Sequence, residues 1–123
     1  MSIPRIVIVA YRPRPGKGDV LLAEIRDHHP FLRSEGLATD RAPMIMRSAD
    51  GTVIEIFEWA SPAAMQEAHA STRVQAMWAR FAQVCDYVPV ASVPEAGSLF
   101  SEFEPLEIDF PAPPQPDPAH REE

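Results

Sequence analysis

Cysteine is almost absent from this chain of 123 residues, which has a single one, Cys85. One cysteine excludes an internal disulfide and is typical of the reducing cytoplasm, where we expect this protein to be located. We expect Cys85 to be an inert packing residue on the buried face of a helix. No group of cysteines and histidines has the spacing of a zinc site, so we expect no metal.

Basic residues are also scarce: 11 Lys and Arg stand against 18 Asp and Glu, which gives a formal net charge of −7. An acidic chain repels phosphate backbones, so we expect no nucleic acid partner. No apolar run approaches the ~20 residues that a helix needs to cross a bilayer, so we expect no membrane partner. There is no GxGxxG segment and no P-loop, and we therefore expect no cofactor.

Six segments have the apolar spacing of strands or helices. They lie at about residues 3–11 (strand), 18–35 (helix), 43–48 and 52–59 (strands), 61–85 (helix in two pieces) and 87–93 (strand). Gly36 follows the first helix as a C-terminal cap should. The order β-α-β-β-α-β predicts an α+β protein with a ferredoxin-like split unit, whose antiparallel sheet has helices on one face.

The two central strands form a predicted hairpin around Asp50-Gly51, a strong signal for a two-residue turn. This turn would place Met46 opposite Glu55. Alternation then collects five side chains on one face of the sheet, namely Met44, Met46, Glu55, Phe57 and Trp59. Such a face needs cover, and we expect a second copy of the chain to pack on it as a homodimer.

The chain is predicted to hold one domain, residues 1–108, with a C-terminal extension from about residue 94. Residues 109–123 are rich in proline and charge, and we expect this tail to be disordered.

This order of elements, together with the local sequence, resembles the dimeric α+β barrel superfamily and, within it, the antibiotic-biosynthesis-monooxygenase (ABM) domain. The similarity covers about residues 3–93. It is carried by the opening "VIVAYRPRPGKGDVLLAEI", the strand end Glu58-Trp59, the Ala-rich helix from Ser61 to His69, and Arg80-Phe81 in the following helix.

The resemblance implies a homodimer whose two sheets form a barrel, with a cavity in each subunit between sheet and helices. Several members of the family oxidise polycyclic aromatic substrates with O2 and without metal or flavin, and others isomerise or decompose small metabolites. Haem-degrading members use an asparagine on the first strand. This chain contains no asparagine, which argues against haem degradation and against any oxygenation that relies on that residue.

Glu55 and His69 are the predicted catalytic residues. Glu55 lies in mid-strand among methionine and aromatic side chains, where a carboxylate would be desolvated as a general base is. Its alternative role is an ion pair with an arginine across the dimer. His69 is either a general base or ligand, or a histidine that caps the end of a helix.

Six residues are predicted to bind the substrate: Tyr11, His29, Met44, Met46, Phe57 and Trp59. Tyr11, at the end of the first strand, would donate a hydrogen bond to a substrate oxygen. His28 and His29 lie near the edges of the helix stripe, and one of them would point into the cavity. Trp59 is either a pocket wall or a core residue that ends its strand.

We therefore expect a cofactor-independent, monooxygenase-like protein that acts on or binds a small apolar or aromatic metabolite in a pocket between sheet and helices. Two alternatives stay open. One is a non-catalytic ligand-binding or assembly domain on the same homodimeric fold. The other is an isomerase or lyase of small metabolites, which would use the same Glu/His pair without O2.

Overall fold

The sheet of this α+β protein has five antiparallel strands in the order β4-β1-β3-β2-β5, in a computed structural model that describes residues 3–111. The strands are β1 (Arg5–Pro13), β2 (Met44–Arg47), β3 (Val53–Trp59), β4 (Cys85–Val88) and β5 (Glu104–Pro105). The helices are α1 (Gly18–Ser34), α2 (Pro62–Ala70) and α3 (Thr72–Val84). No helix in this part of the chain is both long enough and apolar enough to cross a membrane.

Helix α1 ends at a glycine and helix α2 begins at a serine, as the sequence predicts. Gly36 has a φ of +75°, and the N–H groups of Gly36 and Leu37 bond the carbonyls of Arg33 and Leu32, which is a Schellman ending for α1. Ser61 begins α2, since its hydroxyl accepts from the N–H of Ala64 at 3.0 Å. These caps fix the directions in which α1 and α2 leave the sheet.

The β2–β3 hairpin has a different register from the predicted one. Met46 lies opposite Ile54, and Glu55 lies opposite Ile45. The loop contains three residues, because the N–H of Ser48 bonds the carbonyl of Thr52 at 2.8 Å. A three-residue loop of this kind needs its last residue in the left-handed region, and Gly51 supplies it with a φ of +92°.

This shift of one residue moves the methionines to the other side of the sheet, because side chains alternate along a strand. Met44 pairs with Ile56, and both side chains point away from Phe57 and Trp59. The prediction that Met44 and Met46 share a face with Glu55 was therefore wrong.

The face that carries Glu55, Phe57 and Trp59 is covered by the chain's own helices. Leu21 and Ile25 of α1 and Phe81 of α3 pack there in the main core cluster. The expectation that a second copy would cover this face is corrected accordingly. The exposed apolar side chains of the sheet instead lie on its opposite face.

The opposite face is partly covered by the segment that follows β4. Val93, which is 2% exposed, packs against Ala10 and Ile54. Ile6 and Ile8 stay 56% and 51% exposed, respectively, on this face. We call this side the open face.

Cys85 is buried as predicted, but it begins β4 rather than lying on a helix. Its thiol donates to the carbonyl of Phe81 at 3.2 Å, and burial raises its pKa to about 11. The last strand is also shorter than predicted, since β4 ends at Val88 just before Pro89, which has no N–H for a sheet ladder.

The C-terminal extension packs further along the chain than predicted. β5 pairs with the outer edge of β2, and beyond it Leu106, Ile108 and Phe110 lie against the main core cluster. The packed chain thus passes the predicted boundary at residue 109. Residues 112–123 lie outside the described part, so the expected disorder of the tail stays a prediction.

Replacement of Phe81 by alanine should destabilise the fold more than replacement of Trp78. Phe81 is fully buried and stacks on Tyr11 with ring centroids 5.3 Å apart, so its loss leaves a cavity that costs about 3–5 kcal/mol. Trp78 is only half-buried, so its replacement by alanine should cost less stability. Urea denaturation of both variants measures the difference, and equal losses would contradict this ranking.

Candidate functional site

A cavity of about 380 Å³ lies between the helices and the covered face of the sheet. Its lining is mostly apolar and aromatic, and all three helices and three strands contribute to it. The lining residues are Val7, Val9, Tyr11, His28, Phe57, Trp59, His69, Trp78 and Tyr87. A concave aromatic pocket with a few polar groups is typical of a small-molecule site.

Strand alternation brings the sheet residues of the lining together. Val7 lies opposite Phe57 across the β1–β3 ladder, and Tyr11 lies opposite Tyr87 across the β1–β4 ladder. Residues at every second position of β1 therefore form one wall. The wall follows from sheet register, which the β1 sequence alone does not define.

Two buried polar side chains, Tyr11 and His28, form the floor of the cavity, and Glu55 lies beneath them. We call these three residues the floor cluster. The hydroxyl of Tyr11 donates to Oε1 of Glu55 at 2.6 Å. Nδ1 of His28 lies 2.9 Å from Oε1 and 3.1 Å from Oε2 of Glu55. Glu55 is 0% exposed and does not line the cavity, so it contacts a bound molecule only through Tyr11 and His28.

The chemistry of the donors assigns the protons in the floor cluster. An ionised carboxylate can only accept, so Tyr11 and Nδ1 of His28 each donate to Glu55. Burial, and then the negative charge of Glu55, raise the pKa of Tyr11 well above its usual value, which keeps its hydroxyl protonated. Nε2 of His28 has no hydrogen-bond partner within residues 3–111 and is left as an acceptor for a molecule in the cavity.

Aromatic rings hold His28 in place from two sides. Its ring meets Phe57 and Phe81 edge to face, with centroids 5.2 Å and 5.3 Å away. Since His28 is only 4% exposed, it has little freedom to leave Glu55. The imidazole is thereby oriented before any ligand arrives, as a general base needs to be.

Four of the predicted site residues line the cavity: Tyr11, Phe57, Trp59 and His69. Glu55 lies directly beneath them, and its partners come from its own chain rather than from an arginine of a second copy. Met44 and Met46 do not belong to the site, because the hairpin register turns them to the open face.

His29 is placed away from the cavity, and its neighbour His28 takes the position predicted for it. Nε2 of His29 lies 2.9 Å from the carbonyl oxygen of Thr39, and burial lowers the pKa of this imidazole. His28 continues the stripe of Leu21 and Ile25 at helical spacing and is buried with them. The stripe places both histidines on the buried side of α1, so the sequence alone does not distinguish them.

His69 lies at the exposed rim of the cavity, and its ring packs against Trp78 with centroids 5.1 Å apart. It makes no hydrogen bond to Glu55 in the described part of the chain. The two predicted catalytic residues therefore share one cavity region but do not act as a contacting pair.

Among residues 3–111, no Lys or Arg side chain contributes to the lining. Within residues 3–111 no three His, Cys, Asp or Glu side chains are grouped as a metal site would need. The polar groups of the lining are thus the imidazoles of His28 and His69 and the phenols of Tyr11 and Tyr87, set among apolar and aromatic walls.

Comparisons with protein-family models, with curated proteins and with solved structures found no match. The resemblance to the ABM domain therefore stays a prediction.

A double-mutant cycle should show that Tyr11 and Glu55 are energetically coupled. Tyr11→Phe removes a donor to a charged group and should cost about 1.5–3 kcal/mol. Glu55→Gln puts an amide among two donors and should cost about 1–3 kcal/mol. The double variant should lose less than the sum of both, since the two share one hydrogen bond.

Chemical denaturation measures this cycle, with Tyr87→Phe as the matched control. Tyr87 is 50% exposed and makes no hydrogen bond through its hydroxyl within the described residues, so its change should stay within about 0.5 kcal/mol. Strictly additive losses for Tyr11 and Glu55 would show that the bond contributes nothing.

Proposed function

We propose that the cavity binds a small apolar or aromatic molecule and that His28 removes a proton from it. The observation that carries this proposal is the Tyr11–Glu55–His28 hydrogen-bonded cluster at the floor of an aromatic-walled cavity. A buried imidazole held by a carboxylate, with its second nitrogen free, is an arrangement suited to general base catalysis.

His28 is the catalytic residue in this proposal, and Glu55 and Tyr11 are positioning residues. Glu55 holds the proton on Nδ1, which keeps Nε2 as the accepting nitrogen, and its negative charge stabilises the imidazolium that forms. Tyr11 holds the carboxylate through Oε1. His69, which the sequence suggested as a base, lies at the rim, where it contacts a ligand entering the cavity.

The reaction that we propose to follow is oxygenation by O2 without a cofactor. His28 takes a proton from the substrate, and the resulting anion gives its electrons to O2 and forms a carbon–oxygen bond. The imidazolium of His28 then returns its proton to the peroxide anion, which gives a hydroperoxide and regenerates the base. Loss of water then leaves a carbonyl, so that a CH2 group and O2 become C=O and H2O. The mostly apolar lining and the resemblance to the ABM domain support this step.

An isomerase or lyase is the alternative supported by the same floor cluster, because it needs the same proton abstraction but no O2. A non-catalytic binding domain is the further alternative. It is favoured by one observation. The hydrogen bonds of Glu55 go to Tyr11 and His28, so the cluster also connects α1 to the sheet and stabilises the fold.

Proton abstraction can be tested with β-tetralone, a bicyclic ketone with acidic hydrogens beside its carbonyl. In D2O the wild-type protein should accelerate exchange of these hydrogens, as followed by NMR. His28→Gln should slow the protein-catalysed exchange by about 100-fold, the usual contribution of a general base. His29→Gln, on the next residue of α1 but outside the cavity, is the matched control and should retain exchange.

An oxygen electrode separates the reaction classes in the same samples. Uptake of O2 together with exchange supports oxygenation, and exchange without uptake supports an isomerase or lyase. If wild type and His28→Gln exchange at the same rate, the base role of His28 is rejected and the binding-domain alternative remains.

We also propose that the fold is ferredoxin-like and that a second copy covers the open face, as in a dimeric α+β barrel. The strand order β4-β1-β3-β2 supports the first part. Ile6, Ile8 and Met44 are all more than half exposed on the open face, and the same apolar patch on two copies can pair about a two-fold axis. Leu99 and Phe100, 93% and 80% exposed, add apolar surface on the segment after β4.

Light scattering at micromolar concentration should give about twice the chain mass of 13.7 kDa. Ile8→Asp should yield the monomer, since it places a charge in the proposed interface. Val20→Asp, at a similarly exposed valine on α1, is the control and should remain dimeric. A monomeric wild type would remove the dimer from the proposal.

A further inference from the structure

The floor of the cavity presents hydrogen-bond acceptors rather than donors. The hydroxyl proton of Tyr11 and the Nδ1 proton of His28 are both directed at Glu55. At the floor, what remains for a ligand is the lone pair of Nε2 of His28 and the free lone pair of the Tyr11 oxygen. Donors stand elsewhere in the lining, on the half-exposed Tyr87, on His69 and on the two indole rings. A molecule that reaches the floor therefore has to bring its own donor, or it leaves Nε2 desolvated and unpaired.

The charge around the cavity is a second constraint on the ligand. In the described part of the chain no Lys or Arg side chain lines the cavity, and the buried carboxylate of Glu55 lies directly beneath its floor. The chain as a whole has a formal net charge of −7. An anionic ligand would lose its hydration without gaining a cationic partner, which is costly in an apolar site. His69 does not change this, because it lies at the exposed rim.

Size adds a third. A volume of about 380 Å³ is near the small end of ligand pockets, which span roughly 300–1,000 Å³. The rings of Phe57, Trp59 and Trp78 surround this space and favour a flat aromatic molecule. One or two fused rings suit these dimensions better than three or four.

From these three constraints we infer that the cavity selects a neutral phenol or enol of one or two rings, whose hydroxyl donates to Nε2 of His28, and rejects the matching carboxylate. The inference rests on the proposed function in that it concerns the same cavity and the same imidazole. It adds the charge, the donor group and the size of the ligand. His28 is also placed to remove the proton of the hydroxyl so held, which gives the same anion as loss of a CH2 proton from the keto tautomer.

Four compounds on related ring systems test the inference by calorimetric titration of the full chain. β-Naphthol carries the donor, β-naphthyl methyl ether lacks it, β-naphthoate replaces it by a negative charge, and β-anthrol adds a third ring. β-Naphthol should bind about tenfold or more tightly than its methyl ether, the factor that one hydrogen bond commonly provides. It should also bind about tenfold or more tightly than β-naphthoate, because of the charge, and than β-anthrol, because of the size. The chain's two tryptophans both line the cavity, so shifts of their indole N–H NMR signals locate the binding.

His28→Phe should bring the affinities of β-naphthol and its methyl ether to within about twofold, because the acceptor is gone. His29→Gln should keep the wild-type preference, since His29 faces Thr39 rather than the cavity. If His28→Phe does not fold, the ranking of the compounds on the wild-type protein still decides the inference.

Equal binding of β-naphthol and its ether, tighter binding of β-naphthoate, or no binding of any of the four would overturn the inference. These titrations measure affinity only, so their outcome is independent of the exchange experiment. A preference for β-naphthol without proton exchange would retain the ligand class and reject catalysis. Exchange without that preference would retain catalysis and reject the ligand class.

Discussion

Burial of the Glu55 carboxylate is the constraint on which the rest of the structure depends. A fully buried carboxylate is stable only with hydrogen-bond donors at hand, because its desolvation is otherwise costly. Tyr11 supplies one donor from β1 and His28 supplies the other from α1. The register of β1 on β3 and the rotation of α1 about its axis are therefore both tied to one side chain.

The same constraint creates the candidate site. Tyr11 and His28 both bond Glu55 and both line the cavity, so the groups that stabilise the buried carboxylate are also the ones that a ligand meets. Phe57 and Phe81 pack edge to face against the imidazole and hold it in place. A polar cluster that the core needs for its own stability thus doubles as an oriented acceptor at the floor of an apolar pocket.

Much of the fold could be predicted from local signals, since each has a local physical cause. The Gly36 ending of α1 and the Ser61 start of α2 depend on a few neighbouring atoms, and both were predicted correctly. The β2–β3 register was not, because Asp50-Gly51 suits a two-residue and a three-residue loop alike. The choice between them is made by how both strands pack in the sheet.

The sequence by itself determined an α+β chain of one short domain, the aromatic residues at alternate positions of β3, and an embedded glutamate among them. Only the tertiary structure decided which face of the sheet the helices cover, that Met44 and Met46 lie on the other one, and that His28 rather than His29 meets Glu55. The physical reason is range. Caps and alternation act over a few residues, whereas the partners of Glu55 are 27 and 44 residues away in the chain, and nothing but packing brings them together.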